Sequence, residues 1–346
     1  MKIDNKTISC ANRPYIIAEL SANHGGNLGR ALKSIQAAAQ AGVSAVKIQT
    51  YTPDTMTIRS NRTDFMIKEG LWAGRNLYDL YSDAYTPFEW HEELFEYAKK
   101  IGITIFSTPF DESAVDLLES LETPAYKIAS FEVVDIPLIE YVAKKNKPIL
   151  ISTGMASEEE IELAVTTVRE TSDAPLLLFH CISSYPTITS ESNLNNLNWM
   201  KEKYGVQIGL SDHTTNNIAA LTAIGMGAAA VEKHFKLDDS ECGPDSSFSL
   251  TPHQLKNLVD ECSQAWIAKG NKGLRRSESE QQNMVFRRSL YFVNNLKEGQ
   301  IIKENDIRRI RPGYGLAPKY LTYVIGKKVN KNVERGEPVS FSAIVK

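Results

Sequence analysis

Hydrophobic and polar positions along this chain alternate at two periods. Short runs rich in Val, Ile, Leu and Phe have the length of buried strands. Between them lie longer stretches whose apolar residues recur every three or four positions, as on one face of a helix. The runs YIIAEL (15–20), VSAVKIQT (43–50), ITIFSTPF (103–110), AYKIAS (125–130), PILISTG (148–154), LLLFHC (176–181), VQIGLSDH (206–213) and AAAVEKHF (228–235) are read as strands. Of the helical stretches, NLGRALKSIQAAAQAG ends in Gly42, suited to a left-handed C-terminal cap. ASEEEIELAVTTVRE offers Ser157 as N-cap, with glutamates in its first turn. Eight strand signals, each followed by a helical one, predict a (β/α)₈ barrel over residues 1–270. The rival, a doubly wound open sheet, usually carries a glycine-rich turn after its first strand, and ELSANHGG lacks that spacing.

Two features break the rhythm. Residues 51–90 form a long insertion after the second strand, and its two Trp and four Tyr make it too aromatic for disorder. It is read as a functional lid. Near residue 270 the composition turns polar, in AKGNKGLRRSESEQQN, and residues 271–287 are read as a linker. The remaining residues, 288–346, show short strand-like pieces, SLYFVNN and KKVNKNV, with turn signals at EGQ, PGYG and RGEP. They predict a separate domain, small enough to need docking or a partner for stability.

Composition narrows the class. Hydrophobic residues at 42% and charged residues at 23% fit a globular protein. A net charge of -3 argues against a nucleic-acid-binding surface. The start, MKIDNKTISCANRPY, has no apolar core of a signal peptide. The apolar stretch AALTAIGMGAAAV is too short for a membrane span and is broken by Gly225 and Gly227. Cys10, Cys181, Cys242 and Cys262 show no C-x-x-C pairing, which fits a reducing cytoplasm and no zinc knuckle.

A barrel of this type carries its active site at the C-terminal ends of the strands. Those ends hold Glu19, Lys47, Gln49, Thr108, Lys127, Ser130, Ser152, Ser184, Ser211, His213 and His234. Singly, each has a plain explanation: a strand-end serine is usually a satisfied hydroxyl, and a lone lysine is usually solvated. Together, at the same end of successive strands, they describe a cup. Lys47 and Lys127 with the hydroxyls of Thr108, Ser130, Ser152 and Ser211 suit a phosphate or carboxylate. His213 and His234, on adjacent strands, suit one shared divalent cation, with Glu19 placed to ligate or to orient water. Two or three protein ligands leave positions open for substrate oxygens. An anion site, a metal and an acid–base carboxylate point to carbon–carbon or carbon–oxygen chemistry on a small phosphorylated metabolite.

The motifs IAELSANHGG, AVKIQTY, FSTPFD, YKIASFE, ISTGMAS, GLSDHT, VEKHF and GPDSSFSL, in that order, resemble the sialic acid synthase family. The tail RRSLYFV…IRRIRPGYGLAPKYL resembles the antifreeze-like (SAF) domain that ends those enzymes. The resemblance covers essentially the whole chain. It implies condensation of phosphoenolpyruvate with an amino-sugar aldehyde to give a nine-carbon sialic-type acid. Within the family, GLWAGRNLYDLYSDAYTPFEWH and GPDSSFS are similar to the pseudaminic acid branch, whose acceptor is 2,4-diacetamido-2,4,6-trideoxy-L-altrose. The N-acetylneuraminate and legionaminic acid branches are the alternatives.

Carried over by position, the resemblance gives Lys47, Thr108, Lys127, Ser130, Ser152 and Ser211 to the phosphoenolpyruvate pocket. It gives His213 and His234 to a Mn²⁺ or Mg²⁺ ion, and Glu19, Gln49, Glu132, Tyr185 and Asp245 to the surroundings of the sugar. Ser184 falls where the family varies. The resemblance further implies a domain-swapped homodimer in which Arg311 reaches the sugar site of the partner subunit. Glu19, Lys47, Lys127, Glu132, His213 and His234 are then the catalytic set, with Glu19 positioning or deprotonating the attacking water. Because that acceptor ends in a methyl, Phe248 and Trp72 are expected to supply apolar surface for it. A carbohydrate- or ice-binding protein with an inert barrel is the reading of a different class. Schiff-base aldolases and the deoxyoctulosonate and deoxyheptulosonate synthases are the enzyme rivals, and they lack the tail.

Overall fold

The computed structural model describes residues 1–240, 243–270 and 273–345. A short antiparallel hairpin, β1 (Lys2–Ile3) and β2 (Lys6–Thr7), precedes the eight predicted strands. These are β3 (Tyr15–Glu19), β4 (Ala45–Thr50), β5 (Thr104–Pro109), β6 (Tyr126–Ile128), β7 (Ile149–Ser152), β8 (Leu176–Cys181), β9 (Gln207–Asp212) and β10 (Ala230–His234). Each pairs in parallel with its sequence neighbour, and β10 pairs with β3 to close the barrel. Strands covered on both faces have no solvent side, which is why they read as runs rich in apolar residues and not as a polar–apolar alternation.

Side chains along each strand alternate between the barrel interior and the encircling helices. At the N-terminal end the inward layer is apolar: Tyr15, Ile17, Phe106, Leu150, Leu177 and Phe179 form one cluster, which Ile3 and Ile8 of the hairpin region complete. Two-residue strands carry no alternation, so the sequence pattern does not predict this hairpin. The outward residues, among them Ile16, Val46, Ile105 and Ile151, pack on the helices.

The helix signals fall where expected. Asn27 caps the helix Leu28–Ala41 by accepting from the Arg30 amide, and Gly42 ends it at φ 86°, which only glycine adopts without strain. Ser157 and Glu160 form a capping box for the helix Glu158–Thr171. The insertion is ordered, with helices Pro53–Met56 and Leu77–Ala84 and 3₁₀ turns Thr63–Phe65 and Phe88–Trp90. Among the described residues no helix is long and apolar enough to cross a membrane. Cys10, Cys181 and Cys262 are free thiols, while Cys242 lies outside the described residues.

The chain divides into two compact units, Met1–Gly270 and Asn271–Lys346. The second has its own core, including Leu290, Phe292, Ile302, Val324, Val329 and Val339. Its strands β11 (Ser289–Phe292) and β12 (Ile307–Ile310) pair antiparallel. KKVNKNV does not form a strand: Val329 bridges Ile344 and Val333 bridges Leu296, each as an isolated pair. Lys328 likewise bridges Ile301, and none of these pairs extends into a ladder. The stretch read as a linker contains a helix, Glu278–Gln282, capped by Ser277, and a 3₁₀ turn, Asn283–Phe286.

Candidate active site

Above the apolar layer, the next inward residues are charged. Parallel register sets Glu19 opposite Lys47 on one side and His234 on the other. Lys47 Nζ lies 2.7 Å from Glu19 Oε2 and 3.6 Å from Glu232 Oε1, and donates to Thr108 Oγ1 at 3.1 Å. Lys127 Nζ lies 3.3 Å from both oxygens of Glu232 and 5.2 Å from the centre of the Phe179 ring. All four ionisable groups are buried. Removing charges from water costs several kcal/mol per ion, so such an array persists only where each charge meets another.

The consequences for protonation follow from that layout. Burial pushes the Glu19 carboxyl up, against the pull of Lys47. Burial draws the Lys47 ammonium down, but Glu19 and Glu232 outweigh it and hold Lys47 charged. Burial lowers Lys127 despite Glu232. For Glu232 burial is outweighed by Lys127 and Lys47, which keep it ionised.

Hydroxyls ring the array. Ser211 Oγ approaches Glu232 Oε1 at 3.4 Å, and Ser130 Oγ lies 2.8 Å from Ser183 Oγ. Ser152 Oγ is buried and makes no hydrogen bond among the described residues. A buried hydroxyl without a partner is unusual and points to a missing one, such as a substrate oxygen. Gly209 shapes the floor: a Cβ there would come within 2.6 Å of the Phe179 ring and 2.8 Å of the Ala230 carbonyl.

His213 and His234 lie over one edge of the cup with ring centres 5.4 Å apart. His213 Nδ1 is bonded to the Ile182 carbonyl at 3.0 Å, which leaves its Nε2 lone pair free. Burial holds His234 well below the usual imidazole range, so the ring is neutral. Its buried Nδ1 has no hydrogen bond among the described residues, and Asp245 Oδ2 stands 3.7 Å away. Burial draws His213 down, but Cys181, the Ile182 carbonyl and Glu232 outweigh it and raise its pKa. His213 Nε2, once the ring is deprotonated, and His234 Nδ1 fit a shared divalent cation. Among the described residues no group of three or more His, Cys, Asp or Glu gathers as a metal centre.

The sugar-side candidates lie around these groups. Gln49 Nε2 donates to Glu19 Oε1 at 2.9 Å and to Ser21 Oγ at 3.2 Å, and Ser21 donates to Asp245. Burial raises Asp245. It pushes the Glu132 carboxyl up to about 7, and Glu132 Oε2 is buried without a hydrogen bond among the described residues. Tyr185 stacks 4.4 Å from His213 and 5.4 Å from Phe248, and Phe248 lies 4.9 Å from His234.

Two candidates fall elsewhere. Ser184 lies past the end of β8, is exposed, and donates to the Pro186 carbonyl at 3.3 Å. Its neighbour Ser183 faces the cup instead. Arg311 belongs to the second unit, exposed at the end of β12. The residue that sequence reasoning missed is Glu232, the acceptor between both lysines. Alternation from His234 was its signal, since residues two apart on a strand share a face. The same rule resolves SDHT: Ser211 and His213 face inward, while buried Asp212 and Thr214 hold Lys233 from outside at 2.6 and 3.3 Å. Asn23 was missed as well. It donates to the Phe235 carbonyl and to Ser249, each at 2.8 Å, and accepts from Ser246 at 3.0 Å, pinning the loop that carries Asp245.

Comparison with known proteins sets this geometry in context. The NeuB family matches residues 34–273, and the SAF domain matches residues 287–345. The chain is 44% identical to a pseudaminic acid synthase of Campylobacter jejuni subsp. jejuni, over 95% of this chain and 96% of that one. It is 41% identical to a pseudaminic acid synthase of Helicobacter pylori, over 94% and 96% respectively. Among solved structures, an N-acetylneuraminic acid (sialic acid) synthetase from Leptospira borgpetersenii in complex with citrate matches with a TM-score of 0.74 at 32% identity, covering 82% of this chain and 94% of that one.

Proposed function

The chain belongs to the NeuB family, and from that premise we propose that it works as a pseudaminic acid synthase. It joins C3 of phosphoenolpyruvate to the aldehyde carbon of 2,4-diacetamido-2,4,6-trideoxy-L-altrose. Water adds at C2, and phosphate leaves with the bridging oxygen. The aldehyde oxygen becomes a hydroxyl, and the oxygen of the added water becomes the new ketone oxygen. What supports this reading most is the Glu19–Lys47–Glu232–Lys127 array beneath an unpartnered serine and two uncommitted imidazoles.

Each side chain has a task in that reaction. Lys47 and Lys127, with Thr108, Ser130, Ser152 and Ser211, hold the phosphate and carboxylate of phosphoenolpyruvate and keep them dry. Positive charge develops at C2 as C3 attacks, and Glu232 and Glu19 stabilise it there. Glu19, fixed by Gln49 and Lys47, holds the water and takes its proton as it adds. Glu132, Tyr185 and Asp245 orient the sugar. A Mn²⁺ or Mg²⁺ ion on His213 and His234 would supply Lewis acidity at the acceptor aldehyde. The homodimer, and Arg311 acting on an acceptor bound by a partner subunit, belong to this proposal and rest on the family resemblance.

The test is phosphate release from phosphoenolpyruvate with altrose-, mannose- and glucose-configured acceptors compared side by side. The proposal expects the altrose-configured compound to turn over with the highest kcat/KM. Preference for the mannose- or glucose-configured acceptor would move the chain to a sister branch.

A further inference from the structure

The middle of the insertion forms a finger that reaches the candidate active site. Residues 66–76 form a hairpin: Met66 bridges Asn76, the Ile67 amide donates to the Arg75 carbonyl at 2.9 Å, and the Gly74 amide returns to the Ile67 carbonyl at 2.8 Å. Asn76 anchors its base by donating to the Ser60 carbonyl at 2.7 Å. At the tip, Trp72 Nε1 donates to the Pro244 carbonyl at 3.1 Å, next to Asp245. The Trp72 ring also lies 5.7 Å from that of Tyr185, which in turn covers His213. One half-buried side chain thus ties the insertion to the two loops that wall the sugar side of the cup.

The geometry points to Trp72 as a specificity-determining residue, whose ring, with Tyr185 and Phe248, forms the apolar wall for the end of the acceptor remote from its aldehyde. This rests on the reaction proposed above. If the aldehyde carbon reacts beside His213 and His234, an extended six-carbon chain reaches roughly 6 Å further. The Tyr185 ring centre lies 4.4 Å from that of His213 and 5.7 Å from that of Trp72, so C6 of an acceptor extended toward Tyr185 meets the Tyr185–Trp72 side of the cup. A methyl buries well there. The Trp72 N–H, committed to the Pro244 carbonyl, offers a hydroxymethyl no donor in place of the water it would lose. Apolar pockets reject an added hydroxyl only by on the order of a hundredfold, which bounds the effect.

The experiment compares wild type, Trp72→Ala and Trp72→Phe on the 6-deoxy acceptor and its 6-hydroxy counterpart. Wild-type turnover is read first: failure there concerns the proposed reaction and not Trp72. With turnover in hand, Trp72→Ala should raise KM for the 6-deoxy acceptor at least tenfold or so, leave KM for phosphoenolpyruvate within about twofold, and shrink the preference between acceptors at least fivefold or so. Trp72→Phe keeps an aromatic face but loses the N–H bond, so it should recover much of the preference. Thermal melting of both variants should match wild type, since the side chain lies outside the core. An unchanged preference in Trp72→Ala, or an equal kcat loss on both acceptors, would overturn the assignment.

Discussion

The Glu19 carboxylate stands 2.7 Å from the Lys47 ammonium, both buried, because the register of β3 and β4 places them directly opposite. The pair couples the group assigned to the water with a group assigned to phosphoenolpyruvate. Glu19→Gln keeps the shape and the contact with Gln49 but removes the proton acceptor. Lys47 still has Glu232, so the fold should survive. Steady-state kinetics should show kcat lower by roughly 10²–10⁴-fold, with KM for phosphoenolpyruvate changed far less. A variant with near wild-type kcat would remove Glu19 from the water step.

Glu132 makes a prediction about pH. Burial raises its folded-state pKa to about 7, so the folded protein retains a proton that the unfolded chain gives up at its ordinary pKa of 4.5. Stability is therefore lost as pH rises from the unfolded pKa through the folded one, and the cost is complete above about 7. Glu132→Gln, always neutral, should match wild type near pH 4 and exceed it by on the order of 1–3 kcal/mol at pH 8. Denaturant melts at the two pH values check this. Parallel stability profiles for the two proteins would rule it out.

His213 and His234 are assigned one cation between them. Chelator should abolish turnover, and Mn²⁺ or Mg²⁺ should restore it. Either His→Ala substitution should abolish tight Mn²⁺ binding, measured by calorimetry on the apoprotein, without a loss of the folded circular dichroism spectrum. Full activity in excess chelator would end the metal assignment.

Gly209 separates packing from chemistry. Gly209→Ala would push the Phe179 ring, the surface on which the Lys127 ammonium rests. Stability should fall by about 1–3 kcal/mol, and KM for phosphoenolpyruvate should rise while KM for the acceptor moves less. Gly225→Ala is the control. It lies in the helix Ile218–Met226 with nothing within 4 Å of a new Cβ, and it should gain roughly 0.5–1 kcal/mol. Equal stability effects at the two positions would contradict the packing argument.

The barrel was legible because its strands are covered on both sides and so read as short runs rich in apolar residues, with polar residues gathering toward their C-terminal ends. Helix ends were legible for a local reason: Gly42 and Ser157 act within one turn of chain. At the site, residue type at a strand end was enough to find Lys47, Lys127, His213 and His234. It could not show depth. Glu232 lies one layer below His234, and only alternation within the strand separates it from outward-facing Lys233. Alternation from inward-facing Phe179 through Cys181 leads to Ser183, which faces the cup, and residue type at the strand end alone does not separate it from exposed Ser184. The Trp72–Pro244 bond joins residues 172 positions apart, a distance no local pattern spans.

The central claim is condensation by C–O cleavage, and an isotope measures it directly. Phosphoenolpyruvate carrying ¹⁸O in the bridge between C2 and phosphorus is incubated with the 6-deoxy altrose acceptor, and both products are read by mass spectrometry. The account predicts ¹⁸O in inorganic phosphate, an unlabelled nine-carbon acid, and no phosphate release when the acceptor is omitted. Retention of ¹⁸O in the sugar acid, or phosphate release independent of the acceptor, would contradict it.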